Sequence, residues 1–397
     1  MNAASKLALV LGPVTESDFF GHYWEKTPLH ISRSSTEHFV SLVSIDTLES
    51  MLSSQALYYP SVQLTQSNRT IDISEYSDDS RRILAHRLIE RHHEGATVVI
   101  SKAHEKIESL ANFRRDIQSE LKLRCQTNVY LSPTGQQGFN AHFDSHDVFI
   151  LQVAGTKTFN FYEGGVELPF QHDGFQAGEH AVGALTQSIP LEPGDTLYIP
   201  RGVMHDAVAT EQTSLHITLG VYAITLRDVL MEMTQTLTND ELIYRKSVPR
   251  EIQSLFSKVK GTAGDESAEN NILRILKPEL TCEGLKSALS SIEDATAIDS
   301  APSTAGVLAT SPKSFTESTV IQINHAQLIG IESSSEIIRL RTHGQILEFT
   351  HPLSMAVEQL LTAEPIVMGN LAGLDNDQKQ ALCTRLLYAN LLIVQKQ

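Results

Sequence analysis

The chain has 397 residues, 41% hydrophobic and 20% charged. That composition is globular, and the length is too great for one ordinary core, so two or three domains are expected. Asp and Glu number 47 against 31 Lys and Arg, a formal charge of −16, which argues against non-specific binding to nucleic acid or to an anionic membrane.

Cys125, Cys282 and Cys383 are odd in number, far apart and free of any CxxC pair. The expectation is a reducing cytoplasmic setting, with neither a disulfide framework nor a zinc ribbon. No apolar run is long enough to span a bilayer. The N-terminal "KLALVLGPV" is apolar, but a proline interrupts it and no small-x-small cleavage site follows, so a signal peptide is the lesser reading.

In chain order, "TESDFFGHYWEKTPLHISRS" from Thr15 to Ser34 predicts a helix, then an edge strand after Pro28. Its tryptophan, Trp24, reads as a core anchor. From about Ser41 to Glu120, helical patterns ("DTLESMLSSQ", "SRRILAHRLIERHHE") mix with short strands such as "ATVVIS". From about Cys125 to Tyr222 the pattern changes to short β-branched and aromatic runs joined by Gly/Pro turns, which predicts a β-sandwich or barrel. After Tyr222, Leu226, Val229, Leu230, Met233 and Leu237 share one helical face. "EIQSLFSKVK" and "AENNILRILK" also read as helices, with "GTAGDES" a mobile stretch between them. "SSIEDATAIDSAPSTAGVLATSPKS", poor in large apolar residues, reads as a linker or irregular connection. The last unit, from about Phe315, alternates strands ("VIQIN", "EIIRLRT", "QILEFT", "LLIVQ") with two helices, and its helix–helix–strand ending resembles a winged helix.

The chemistry-bearing stretch is "NAHFDSHDVFILQ", Asn140 to Gln152. As a helix it would put His142 and His146 on one face, but a zinc-protease helix needs HExxH and Phe143 stands at the glutamate position. The β-rich "VFILQV" that follows favours a strand, on which His142 and Asp144 point to the same side. A third ligand is needed, and "GDTLYIPRGVMHDAV" supplies His205 just after a strand and turn. His-x-Asp with a distant histidine is the donor set of a facial triad, suited to Fe(II) but also permitting Mn, Co, Ni or Zn. Each piece alone is weak, since a lone HxD is common and a lone surface histidine is usually solvated. Their combination inside the barrel-like region is stronger. His146 and Asp147 are assigned to the turn or the substrate rim.

A buried dicarboxylate would need a cation or several donors. Lys157 begins the strand after "AGT" and would point inward if that strand neighbours the one carrying Phe149 and Leu151. Taken alone, it reads as an exposed turn lysine. Asn128 and Tyr130 share a strand face. His216 and Thr218 face the interior if Ile217, Leu219 and Val221 pack outward against helices; a satisfied core role carries equal weight.

The segments "NVYLSPTGQQGFNAHFDSHDVFILQVAGTKTFNFY" and "LEPGDTLYIPRGVMHDAV…SLHITLGVY" resemble the cupin-like JmjC oxygenases, most nearly the ribosomal oxygenase group. "FFGHYWEKTPLHI" resembles that group's N-terminal segment, the helical stretch after Tyr222 its dimerisation region, and the C-terminal unit its winged helix, a looser match. The resemblance implies an α+β fold: a double-stranded β-helix (jelly-roll, cupin) JmjC domain at 1–224 with N-terminal α/β elements, a helical dimerisation region and linker at 225–313, and a winged-helix-like domain at 314–397. It implies Fe(II) on His142, Asp144 and His205, with 2-oxoglutarate and O2 as cosubstrates. Lys157 matches the position pairing with the far carboxylate, Asn128 and Tyr130 match residues lining that pocket, and Thr218 matches less securely. The implied reaction is hydroxylation of an amino-acid side chain in a protein or peptide, such as a ribosomal protein or a biosynthetic precursor peptide, by a cytoplasmic homodimer.

Three alternatives remain. An N-methyl demethylase starts from the same hydroxylation. A non-catalytic metal-binding cupin could act through its winged helix, but a DNA reader needs a basic recognition helix; from Phe315 onward there are five Lys/Arg against eight Asp/Glu, which favours a structural or protein-contact role. A cupin without 2-oxoglutarate usually gathers three or more histidines and leaves Lys157 unexplained.

Overall fold

The computed structural model describes residues 5–66, 69–176, 178–240, 282–298, 315–334, 337–342, 345–362 and 364–395. The chain divides into two compact units, Met1–Ala223 and Ile224–Gln397.

The first unit begins with α1 (Lys6–Leu11) and α2 (Glu16–His22), whose first turns are capped by Ser5 and Thr15. Both hydroxyls accept a backbone N–H that the helix leaves orphaned. Leu7, Val10 and Leu11 of the apolar N-terminal stretch belong to the core. Next come β1 (Leu29–Ile31), α3 (Ile45–Ser54), β2 (Val62–Gln66), β3 (Arg69–Thr70), α4 (Ala85–His93), β4 (Thr97–Ile100) and α5 (Glu108–Leu121). The barrel-like region supplies β5 (Arg124–Ser132), β6 (Asp147–Ala154), β7 (Lys157–Gly165), β8 (Val182–Leu191), β9 (Thr196–Ile199), β10 (Val203–Ala209) and β11 (Ser214–Tyr222).

These strands form an eight-stranded sheet, β1-β9-β6-β11-β5-β4-β2-β3, and a three-stranded sheet, β10-β7-β8. β1 lies at the edge of the larger sheet, as read from the proline before it. The apolar run of β6 is buried on both faces. Val148 and Ile150 join Phe159, Phe161, Ile189 and Leu191 of the smaller sheet. Phe149 and Leu151 join the helix-backed core that includes Leu110 and Phe113 of α5. A strand packed on both sides has no polar face, so its sequence does not alternate.

One expectation about this region is corrected. β6 and β7 are not neighbours; they lie in different sheets. The "AGT" link is a corner. Gly155 has φ of +60°, and a Cβ there would sit 2.1 Å from the Thr213 carbonyl oxygen, so only glycine lets the chain cross at this point. The crossing carries Lys157 to the opposite wall, where it pairs with Leu191 and Ala209.

The second unit opens with α6 (Leu226–Asp240), which packs on α7 (Cys282–Ile298). Ser291 donates to Glu232 across the pair at 2.6 Å. The first nine residues of the segment read as a linker are thus helix, ending at Ile298. Ala295, Ala297 and Glu293 are good helix formers there, which offsets the shortage of large apolar residues. Met233 is buried, whereas Leu226, Leu230 and Met231 of α6 and Leu285 and Leu289 of α7 are exposed. The helices expected at 251–260 and 268–277, the stretch between them and the linker from 299 to 314 lie outside the described residues.

Then come β12 (Val320–Ile323), β13 (Leu328–Ser333), β14 (Ile337–Thr342), β15 (Ile346–Thr350), α8 (Leu353–Thr362), β16 (Ile366–Val367), α9 (Asn376–Tyr388) and β17 (Leu392–Val394). They form two three-stranded sheets, β16-β12-β17 and β13-β14-β15. Ile321, Leu340, Phe349, Val357, Leu382 and Leu386 build their common core. Periodicity did not single out β13 or the short β16.

Candidate active site

His142 and Asp144 stand in the extended segment before β6, not in a regular strand, which corrects the sequence reading. The segment is held by an isolated bridge to His205 on β10. His142, Asp144 and His205 each offer a ligand atom, and these atoms lie within 4.8 Å of one another. Asp144 Oδ2 is 3.8 Å from His205 Nε2. Each imidazole is oriented through its other nitrogen. His142 Nδ1 is 2.8 Å from the Asn140 carbonyl and His205 Nδ1 is 2.9 Å from the Val203 carbonyl. An Nδ1–H donated to a carbonyl leaves the Nε2 lone pair free for a cation. Burial, with His142 next, pushes His205 down to about 4, which keeps it neutral. Burial works against ionisation of Asp144, but His146, His205 and His142 outweigh it and hold the carboxyl below its usual range. The donor set fits one divalent cation: two imidazole nitrogens and a carboxylate, converging from two segments.

The cluster opens inward onto a cavity of about 290 Å³, whose walls include Asn128, Tyr130, Lys157, His216 and Thr218. Register explains their convergence. His216 pairs with Tyr130 and Thr218 with Asn128 between β11 and β5, while the alternate residues Ile217, Leu219 and Val221 join the helix-backed core. Lys157 is 4% exposed, and its Nζ donates to Ser132 Oγ at 3.2 Å. Burial pushes its ammonium down to about 8. No carboxylate pairs with it among the described residues. Tyr130 stacks on His216 at 4.9 Å and 5°. Burial first, then Asp144, raises its phenol and keeps it protonated. Asn128 Oδ1 accepts from Lys102 N–H at 2.9 Å and from Gln126 Nε2 at 3.0 Å. Ser132 ends β5 and continues the two-residue alternation from Asn128 through Tyr130.

On its other side the cluster faces an outer cleft of about 930 Å³, lined by Phe139, Asn140, Tyr162, Phe175, His180 and Asp206 among others. Asp206 accepts from Gln137 at 3.0 Å, Asn160 at 2.8 Å and Tyr162 at 2.9 Å, which fixes the polar wall of the cleft. His146 also lines both cavities. Its ring stacks on Tyr222 at 4.9 Å.

Asp147 is not at a rim. It is fully buried at the start of β6, where it accepts from Tyr198 at 2.6 Å and Arg201 at 3.1 Å. Arg201 also pairs with Glu25, whose N–H donates to Tyr198 at 2.9 Å. A buried carboxylate persists only with such partners, and none of them was legible from spacing. Trp24 stacks on Tyr198 at 5.9 Å beside this network.

The family model for the JmjC domain matches residues 102–229, which contain the whole cluster. The chain carries a JmjC domain. Over 259 residues it is 29% identical to the bifunctional lysine-specific demethylase and histidyl-hydroxylase NO66 of Drosophila persimilis, covering 62% of this chain and 36% of that protein. Over 300 residues it is 27% identical to ribosomal oxygenase 2 of Mus musculus, covering 71% of this chain and 61% of that one. The chain thus spans only part of the length of these relatives. Among solved structures, the Escherichia coli ribosomal oxygenase YcfD superposes with a TM-score of 0.55 at 16% identity, over 96% of this chain and 98% of that one. Its complex with cobalt and 2-oxoglutarate superposes with a TM-score of 0.52 at 15% identity, over 97% and 99%. At that identity the likeness establishes a shared fold for the JmjC domain and the elements around it.

Proposed function

We propose that the protein is an Fe(II)- and 2-oxoglutarate-dependent oxygenase that hydroxylates an amino-acid side chain in a protein or peptide. The observation that carries this reading is the His142–Asp144–His205 cluster, set between an outer cleft and an inner cavity that holds Lys157. His142, Asp144 and His205 would hold the iron. Lys157, with Ser132 beside it, would neutralise the far carboxylate of the oxo acid, while Asn128, Tyr130 and Thr218 line its path. When bound, iron and the oxo acid supply the oxidising power, 2-oxoglutarate and O2 giving succinate, CO2 and one oxygen atom for a C–H bond. The protein's part is to orient and to exclude water. The carbonyl contacts at Nδ1 of His142 and His205 keep their Nε2 lone pairs directed inward, and Tyr130 stays protonated. Phe159 and Ile150 keep the inner wall apolar, so an ion pair at Lys157 is weakly screened.

Substrate and assembly extend the same reading. The outer cleft is open enough for a polypeptide side chain, and the relatives' names include hydroxylases and a ribosomal oxygenase. The exposed Leu226, Leu230 and Met231, together with Leu285 and Leu289, support a homodimer formed through α6 and α7. The strands and helices from Phe315 onward support a winged-helix-like unit, whose acidic balance favours protein contact over DNA. Buried thiols at Cys125 and Cys383 support a cytoplasmic setting.

The test is anaerobic addition of Fe(II), then 2-oxoglutarate, to metal-free protein, with His205→Ala alongside. A visible metal-to-ligand charge-transfer band in the parent and none in the variant is expected. Tight metal binding with no band in the parent would remove 2-oxoglutarate from the function.

A further inference from the structure

Resting on the cosubstrate reading above, a second group at the carboxylate end of the inner cavity stands unused. His216 is 4% exposed and lines the cavity. Its Nδ1 is sealed from solvent and has no hydrogen-bond partner. Among the described residues Nε2 has none either, which leaves Nε2 as the nitrogen open to the cavity. Its ring cannot turn freely, because Tyr130 stacks on one side at 4.9 Å and Phe159 meets it edge-on at 6.1 Å. Buried polar groups are nearly always satisfied, so with Nδ1 sealed, the Nε2 that faces the cavity is the nitrogen left to meet a ligand atom.

The chemistry selects that atom. Burial, then the neighbouring Lys157, holds the imidazole well below its ordinary value, so it is neutral and carries one N–H. A sealed N–H costs more than a sealed lone pair, so the proton belongs on Nε2, directed into the cavity. Next to an ammonium with no anionic partner, such an N–H needs an acceptor bearing negative charge. We propose that His216 is a specificity-determining residue that donates Nε2–H to the far carboxylate of the cosubstrate, sharing it with Lys157. Two donors on one carboxylate fix its orientation as well as its charge. The pocket then rejects an oxo acid of the same chain length that ends in a methyl group, because Lys157 and His216 would both be left unpaired.

The test is equilibrium binding by calorimetry to Mn(II)-loaded protein without O2, with 2-oxoglutarate and 2-oxopentanoate as the two ligands. His216→Phe keeps the stack on Tyr130 and removes the N–H. It is expected to weaken 2-oxoglutarate by about 10- to 100-fold, the range for a hydrogen bond to a charged group. Binding of 2-oxopentanoate should stay within about threefold of the parent. Equal loss for both ligands, or no loss for either, would overturn the proposal in favour of a packing role. Equal binding of the two acids by the parent would instead overturn the cosubstrate reading, and this proposal with it. His216→Gln keeps an N–H near Nε2 and is expected to bind 2-oxoglutarate within about tenfold of the parent. Should His216→Phe fail to fold, the same comparison of ligands in His216→Gln decides: retained discrimination supports the donor role, and its loss overturns it.

Discussion

His142 and His205 exchange both backbone hydrogen bonds: His142 N–H donates to His205 O at 2.9 Å, and His205 N–H to His142 O at 2.7 Å. Two residues from distant segments are therefore joined by main chain before any cation arrives. The ligand frame is a property of the fold, and side-chain changes can empty it without dismantling it.

Asp144→Ala tests that separation. Asp144 belongs to neither apolar core cluster of the first unit, so the melting temperature should change little. Metal affinity should drop by more than about 100-fold, above the range for losing an outer partner of a ligand, and turnover should vanish. Succinate formation and Co(II) titration measure both. Unchanged cosubstrate turnover in the variant would remove Asp144 from the site.

Lys157 gives a pH dependence with a definite sign. Its ammonium is pushed down to about 8 in the folded protein, and carboxylate binding requires the charged form. Affinity for 2-oxoglutarate should be constant below pH 8 and fall by about tenfold per unit above it. Lys157→Ala should remove this dependence, raise the 2-oxoglutarate requirement by about 10- to 100-fold and leave the metal bound. For ligand-free stability the sign is opposite. The folded value lies below the unfolded one, near 10.4, so the unfolded chain binds more protons between them and the Lys157 contribution rises with pH from about 8 to 10.4.

Gly202 holds the turn that enters β10. Its φ is +84°, a Cβ would lie 1.7 Å from the Val166 carbonyl oxygen, and its N–H donates to Asp144 O at 2.8 Å. Gly202→Ala should cost about 1–3 kcal/mol or more through strain and should weaken metal binding, since the turn links Asp144 to His205. Chemical denaturation and metal titration of the folded fraction measure the two effects. Parent-like values for both would mean the turn relaxes without moving the ligands.

Arg201 and Asp147 form a buried pair at 3.1 Å. Arg201→Met alone leaves Asp147 short of a partner and should destabilise by about 3–5 kcal/mol, whereas Arg201→Met with Asp147→Leu should recover part of the loss. Denaturant unfolding of the two single variants and the double variant closes the cycle. Additive losses would show that the pair is not coupled.

Several features were legible because they depend on local pattern. The turn-rich alternation after Cys125 marks an all-β region, and the pattern after Thr15 marks a helix followed by an edge strand. The continuous apolar run after Asp147 marks a strand buried on both sides. Asp147 itself misled, since a carboxylate at a strand start looks like a solvated turn until Tyr198 and Arg201 are seen to enclose it. Ser132 carries no signal of its own beside Pro133, and β13 offers no clean alternation.

Sequence by itself determined the donor types at His142, Asp144 and His205, that Asn128 shares a strand face with Tyr130 and His216 with Thr218, and the acidic balance of the chain. Tertiary structure decided which sheet each strand joined. Alternation fixes a residue's face by the period of two, but it carries no information about the strand's neighbours, which depend on corners such as Gly155. That corner puts Lys157 across the cavity from Tyr130 and His216, and so makes one site from residues that local pattern could only assign to separate strands.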